Sequence, residues 1–392
     1  MRKKLLHIDY QILLPYLLLV AFGIIMVYSA SSDILLVNGF KPSTYGIRQM
    51  YYAFFAIFIF ANATFALRLD IFKSQKFVIW FVALSIVMLL YLILLKIFKG
   101  SAVAVNGAVG WIDLKIIKIQ PLEIAKLALV IYLAYFLDRH DGTFNQGNIM
   151  NTLSRPAILA AVMMFLVLIE PDLGGTAILA MIVIVMFSLS GISAKKVVFW
   201  LIIIGITVFI LVYLIITWNP KFLQANYQYQ RLMSFLHPFE LEQKGGAQLV
   251  NSYYAIHNGG LFGVGLGNSM QKRGYLPEPY TDFILSIIAE ELGVVGALVV
   301  LGLLFYLMWR IMEVGIHSSS QFNSLICFGI TTIIFTETLF NVGAVLGLLP
   351  ITGVTLPFIS YGGSSLIVLS IAIGLVLNIS ANEKIKQEEA IR

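Results

Sequence analysis

Ten long apolar runs decide what this chain can become. They cover 12–30, 47–66, 77–98, 120–137, 156–170, 173–190, 196–217, 283–309, 322–347 and 362–380. A helix rises about 1.5 Å per residue, so roughly 20 apolar residues cross the hydrocarbon core of a bilayer. In lipid, backbone N–H and C=O groups must be satisfied inside the protein, and for runs of this length that means helices. The composition agrees, with 59% hydrophobic and 12% charged residues and a mean hydropathy of +0.91, far from a soluble domain. The expected fold is an all-α integral membrane protein of about ten transmembrane helices. It is read as one polytopic domain, 1–392, with a large extracytoplasmic loop at about 218–281. Between the fifth and sixth runs, Glu170-Pro-Asp-Leu-Gly-Gly175 leaves almost no loop. Backbone of that kind at membrane depth needs protein or water around it.

Short loops rich in Lys and Arg face the cytoplasm. Arg2, Lys3, Lys4, Arg68, Lys73, Lys76, Arg139, Arg155, Lys195, Lys384 and Lys386 all fall on one side of the ten-span scheme. Both termini are therefore expected in the cytoplasm and the 218–281 loop outside. Lys96, Lys99, Lys115 and Lys118 dissent, since the same scheme places them outside. The first run resembles a signal peptide in its basic start, but its length and the nine runs that follow argue for a retained span.

Several chemistries are excluded. The five histidines, His7, His140, His237, His257 and His317, have no metal-ligand spacing. There is no Walker A loop and no Gly-x-Ser-x-Gly elbow. Gly263-Val-Gly-Leu-Gly267 lacks the strand and helix of a dinucleotide site and reads as a flexible loop. The single cysteine, Cys327, lies in an apolar run and reads as a small buried hydrophobe. No nucleic-acid partner is expected. Carboxylates, basic groups and a hard cation are what remain.

Ionisable groups within membrane runs are costly and point to function or to pairing. Asp282 lies at the boundary between the polar 218–281 segment and the eighth run, in Tyr275-Leu-Pro-Glu-Pro-Tyr-Thr-Asp-Phe-Ile284. Glu290 lies about two helical turns further along, nearer Asp282's side of the helix than Glu291, and is a further candidate substrate contact. Glu123 and Lys126, three apart, share a face of the fourth span and can pair. The plainer reading gives Glu123 a capping role behind Pro121 and lets Lys126 snorkel to the interface. The outer loop supplies Arg231, Lys244, Lys272 and Arg273; of these, Arg231 and Lys272 are candidate substrate contacts. Glu337 and Asn341, four apart in the ninth span, suit helix–helix hydrogen bonding. The Pro- and Gly-rich stretch 349–365 reads as a re-entrant turn, either lining a cavity or merely joining two spans.

Six segments together resemble the SEDS family, which contains the division-associated FtsW and the elongation-associated RodA branches. They are Asn106-Gly-Ala-Val-Gly-Trp-Ile112, Ile119-Gln-Pro-Leu-Glu-Ile-Ala-Lys126, Pro171-Asp-Leu-Gly174, Gly259 to Gly267, Leu276 to Ile284, and Leu348 to Ser365. The stretch from Gln248 through Arg273-Gly-Tyr-Leu-Pro is closer to the FtsW branch. The resemblance implies a peptidoglycan glycosyltransferase that polymerises lipid II, a disaccharide-pentapeptide on undecaprenyl pyrophosphate. It implies a class B penicillin-binding protein and other divisome or elongasome membrane proteins as partners, and residence at the division septum. Asp282 occupies the family's essential aspartate position, Glu123 and Lys126 its fourth-span polar pair, and Arg231 an arginine of its large loop. Two positions depart from the pattern: Gly110 stands where Arg is frequent, and Glu337 where many relatives have Gln.

The chemistry then expected is an inverting displacement. Asp282 takes the proton of the incoming sugar 4-hydroxyl, and Lys126 and Arg231 hold the departing pyrophosphate, with Mg²⁺ or Mn²⁺ as an expected cofactor of unassigned ligands. A lipid II flippase is the alternative, because fold does not decide between the two. A flippase needs essential groups through the membrane depth, whereas a polymerase needs them at the outer face.

Overall fold

A computed structural model describes residues 2–99, 110–113, 118–140, 149–189, 227–243 and 245–391, with scattered positions between 195 and 218. Most of the seventh apolar run, Lys115, Lys244 and residues 106–109 of the Asn106–Ile112 motif lie outside the described residues. Eleven helices organise the rest: α1 (Tyr10–Val37), α2 (Thr44–Ala66), α3 (Gln75–Lys99), α4 (Pro121–Arg139), α5 (Ile149–Ile169), α6 (Leu173–Ser188), α7 (Tyr227–Leu236), α8 (Ala247–Gly259), α9 (Ile284–Ile316), α10 (Gln321–Val345) and α11 (Gly363–Ile391). Among the described residues seven of these are long and apolar enough to cross a membrane, so the chain is a multi-pass membrane protein. α4 and α6 fall on the fourth and sixth runs. One two-stranded ribbon, Ile112–Asp113 with Lys118–Ile119, leads into α4.

Local signals start several helices. Asp9 caps α1, its carboxylate accepting from Gln11 N at 3.1 Å. Pro121 opens α4, where its missing N–H costs nothing. Asp172 caps α6 by accepting from Gly175 N at 2.7 Å. Lys96 donates to Ile169 O at the C-terminal end of α5, at 2.8 Å. That contact gives one dissenting lysine a structural role, since a cation suits a helix C-terminus.

The spans differ in how much of themselves they hide. The apolar windows of α10 and α11 are 72% and 89% buried, against 28% and 33% for α3 and α2. α10 and α11 therefore form the centre, and α2, α3 and α5 face lipid. α10 packs on α4, α6 and α9, while α9 also packs on α1 and α8. Both termini meet at one end of the bundle. There Asp9 accepts from Ser380 at 3.0 Å and Lys384 at 3.1 Å, and Lys4 donates to Asn378 at 2.7 Å.

The eighth run is not one continuous helix. α9 breaks at Gly293, with φ 73° and ψ −179°. The 284–291 part is buried in protein. The 294–316 part alone, at about 1.5 Å per residue, is long enough to cross a core of about 30 Å. The loop after α8 satisfies the backbone that the break frees. Val264 N and Gly265 N donate to Glu290 O and Glu291 O, both at 3.0 Å, while Val294 N and Val295 N donate to Gly260 O (2.9 Å) and Leu261 O (3.2 Å). Gly263-Val-Gly-Leu-Gly267 is thus an ordered insert and not the flexible loop expected. Backbone meets backbone here: a Cβ on Gly263 would lie 2.2 Å from Glu291 O, and one on Gly293 2.2 Å from Leu261 O.

Gly263→Ala and Gly293→Ala are therefore expected to destabilise the protein by more than about 3 kcal/mol, combining steric conflict with φ strain. Gly267→Ala has φ +85° but nothing within 4 Å, so it should cost only about 1–2 kcal/mol. Thermal unfolding in detergent checks the contrast; three equal losses would remove the packing argument.

Candidate active site

Asp282 ends a tight turn just before α9. It is partly buried, and the turn is fixed from three sides. Asn341 of α10 donates to Asp282 O at 2.7 Å and to Val354 O at 2.9 Å. Ser360 donates its hydroxyl to Thr281 O at 2.6 Å, and Tyr361 N donates to Tyr280 O at 2.8 Å. Thr281 Oγ1 donates to the carboxylate itself at 3.0 Å. The 349–361 segment thus does more than join two spans. It packs against α1 so closely that a Cβ on Gly23 would sit 2.6 Å from Phe358 O, and Ile351 O accepts from Arg231 Nη1 at 3.1 Å.

Burial holds the Asp282 carboxyl above its ordinary value, opposed chiefly by the Arg231 guanidinium. Asp172 is raised for the same first reason, and its carboxylate also feels Lys126, Arg231 and Glu123. These contacts draw α4, α6, α7 and the Asp282 turn into one charged region. Gln228 Nε2 docks α7 on the turn before α6, donating to Pro171 O at 2.6 Å. Beside it, Glu170 is 3% exposed, and burial followed by the Asp172 charge pushes its carboxyl up to about 9.

Glu123 and Lys126 do pair, at 2.8 Å. Lys126 also donates to Glu337, which gives that unusual glutamate its partner. Lys126 is 2% exposed, so it neither snorkels nor stands free. Gln120, with no side-chain cap bond, occupies the N-cap position instead of Glu123. The triad is two carboxylates around one ammonium, beneath the mouth where Asp282 and Arg231 lie.

Lys272 and Glu290 are placed elsewhere. Lys272 is 1% exposed and ion-paired with Glu291 at 2.8 Å, with Ser29 of α1 donating to the same carboxylate. The expected loop-surface cation is instead a buried tie between α1, α9 and the loop. Glu290 accepts from Ser269, from Met270 N at 3.2 Å and from Gln271 N at 3.3 Å. It organises the loop and does not face Asp282. Two residues given no site role from the sequence are Asp172, read there as part of a tight loop and of a family segment, and Glu337, weighed mainly as a helix–helix bond. A carboxylate right after Pro171 at the head of an apolar run was the available signal for Asp172.

Among the described residues no three His, Cys, Asp or Glu side chains gather to hold a metal ion. Glu123 and Glu337 share one ammonium, that of Lys126. The described residues therefore build no closed metal cage.

Comparison with known proteins places this arrangement. The family model for FtsW, RodA and SpoVE, described as cell cycle protein, matches residues 10–385. A probable peptidoglycan glycosyltransferase FtsW of Enterococcus hirae is 40% identical, over 98% of this chain and 96% of its own. The corresponding protein of Lactococcus lactis is 38% identical, over 96% and 93%. Among solved structures, a chain of a peptidoglycan synthase complex that coordinates polymerization and crosslinking superposes with a TM-score of 0.75. It is 26% identical and the match covers 96% of this chain and 98% of that one. The rod shape determining protein RodA of Thermus thermophilus gives a TM-score of 0.65 at 25% identity, covering 96% and 97%.

Proposed function

Because the chain belongs to the FtsW, RodA and SpoVE family of cell cycle proteins, we propose that it is a peptidoglycan glycosyltransferase polymerising lipid II into β-1,4 glycan at the outer face of the cytoplasmic membrane. Its identity to FtsW proteins over nearly its full length favours septal wall synthesis, and a class B penicillin-binding protein is the expected partner. Both termini then lie in the cytoplasm, since they meet at the end of the bundle opposite Asp282.

The observation that carries the reading is the gathering of Asp282 and Arg231 at one end, above the Glu123–Lys126–Glu337 triad. Asp282 accepts the proton of the sugar 4-hydroxyl as its oxygen attacks the donor C1. The C1–O bond breaks, its electron pair leaves with the pyrophosphate, and configuration inverts. Arg231 is the cation placed to meet that leaving group. Lys126, held by two carboxylates, sets the field beneath it. A divalent cation, Mg²⁺ or Mn²⁺, is proposed to be carried by the pyrophosphate oxygens, its protein ligands unassigned. Such an ion needs only one or two protein carboxylates and adds positive charge at the leaving group.

Purified protein with lipid II and a class B penicillin-binding protein tests the reading. Glycan ladders on a gel are expected. Lipid II crossing liposomes without polymer would favour the flippase.

A base must be ionised to work, and the Asp282 carboxyl is raised. Polymerisation should therefore be lost as pH falls through a value above the ordinary carboxylate pKa of about 4. Arg231→Gln removes the cation that holds it down, so the acid limb should move to higher pH. Single-turnover rates against pH measure this; an unmoved limb would separate Arg231 from Asp282.

A further inference from the structure

Beside Asp282, four tyrosines converge from three parts of the chain. Tyr45 and Tyr52 lie one above the other on α2, seven residues apart. Tyr280 is two residues from Asp282, and Tyr361 is two residues before α11. The Tyr45 and Tyr361 rings stack, with centroids 4.9 Å apart and planes at 28°. Tyr280 lies 4.8 Å from Tyr45 and 5.9 Å from Tyr361, and Tyr52 is 6.3 Å from Tyr361. All four are only partly buried, packed against the core on one side.

Interface tyrosines are ordinary in membrane proteins, where they sit singly around the perimeter. This cluster is different in placement. It is tied to the Asp282 turn through the Tyr361 N to Tyr280 O bond, 2.8 Å. It also surrounds a polar group short of a partner. Gln49, between Tyr45 and Tyr52 on α2, is 1% exposed and donates to Ser360 O at 3.3 Å. Its Oε1 is buried with no donor among the described residues.

We propose that Tyr45, Tyr280 and Tyr361, with Tyr52 at their edge, form a platform for the uncharged pyranose rings of the growing glycan strand. The chemistry divides the site in two. The Arg231 guanidinium suits the pyrophosphate, whereas flat, amphipathic rings edged with hydroxyls suit sugars, whose C–H faces pack on aromatic rings while their own hydroxyls bond at the edges. A strand held here stays with the enzyme between additions, so the platform sets product length and leaves bond formation to Asp282. This rests on the polymerase reading.

The test uses the full-length protein with its class B partner and labelled lipid II, comparing Tyr45→Leu/Tyr52→Leu with Tyr45→Phe/Tyr52→Phe. Losing two ring contacts should shorten the modal strand about five- to tenfold, while the rate of the first β-1,4 bond changes less than about twofold. The Phe pair should keep long strands, since stacking survives. Should the Leu pair fail to fold, Tyr45→Leu alone carries the comparison. Strands of normal length from a folded Leu variant would overturn the platform, and so would a uniform rate loss at unchanged length, which marks a merely structural cluster. A wild type that makes no polymer would instead defeat the polymerase reading and take this one with it.

Discussion

Asp282→Asn is expected to abolish glycan polymerisation while leaving folded protein in the membrane. The amide keeps the shape of the side chain and can still accept from Thr281. The bonds that hold the turn reach backbone oxygens, from Asn341 to Asp282 O and from Ser360 to Thr281 O, so the substitution leaves them in place. What is lost is the base. General-base removal costs about 10²–10⁴ in rate, and the charge that the Arg231 guanidinium acts on is lost as well. Ladders from the variant at near wild-type rate, with an unchanged melting profile, would remove Asp282 from the chemistry. Unfolded variant protein would mean that the turn depends on the carboxylate, contrary to its backbone anchoring.

Lys126→Met should be the most damaging single change in the membrane interior. Lys126 is 2% exposed and is the counter-ion of both Glu123, 5% exposed, and Glu337, 1% exposed. Removing one partner of a buried ion pair typically costs about 3–5 kcal/mol, because the other charge is left uncompensated. Here two carboxylates lose their partner together. Glu337→Gln should behave in the opposite way. It removes the excess negative charge, keeps an acceptor for the ammonium, and leaves Glu123 in place at 2.8 Å. Its expected effect is within about 1 kcal/mol of zero, as for replacing one charge in an over-supplied site. Thermal unfolding of the purified variants separates the two. Equal stabilities would mean that the triad is solvated and that its burial carries no energetic weight.

The helical, multi-pass character of the chain is legible in its apolar runs alone, because transfer into lipid depends on local composition summed over roughly 20 residues. The same locality makes Asp282 visible, as a carboxylate at the head of a long apolar run, and brings Glu123 and Lys126 to one face by their spacing. The break in α9 is not legible in this way. The 283–309 run has the composition of a continuous span, and a single Gly inside a helix costs only about 1 kcal/mol. The break exists because Gly260 and Leu261 accept from Val294 and Val295, bonds that need another part of the chain to arrive.

The same distinction separates the two kinds of buried charge. Sequence spacing alone paired Lys126 with Glu123, three residues away. Only the tertiary structure brought in Glu337, 211 residues further on, and buried Lys272 against Glu291 instead of leaving it on the loop. Asp172, Arg231 and Asp282 likewise come from three separate segments. By itself the sequence determined solvent, secondary structure and the chemistry-bearing residue types, all set by neighbours within a few helical turns. Which charges neutralise one another and which remains partly open at the mouth was decided by packing, because a carboxylate's energy depends on the distance to its counter-ion and on the water left around it.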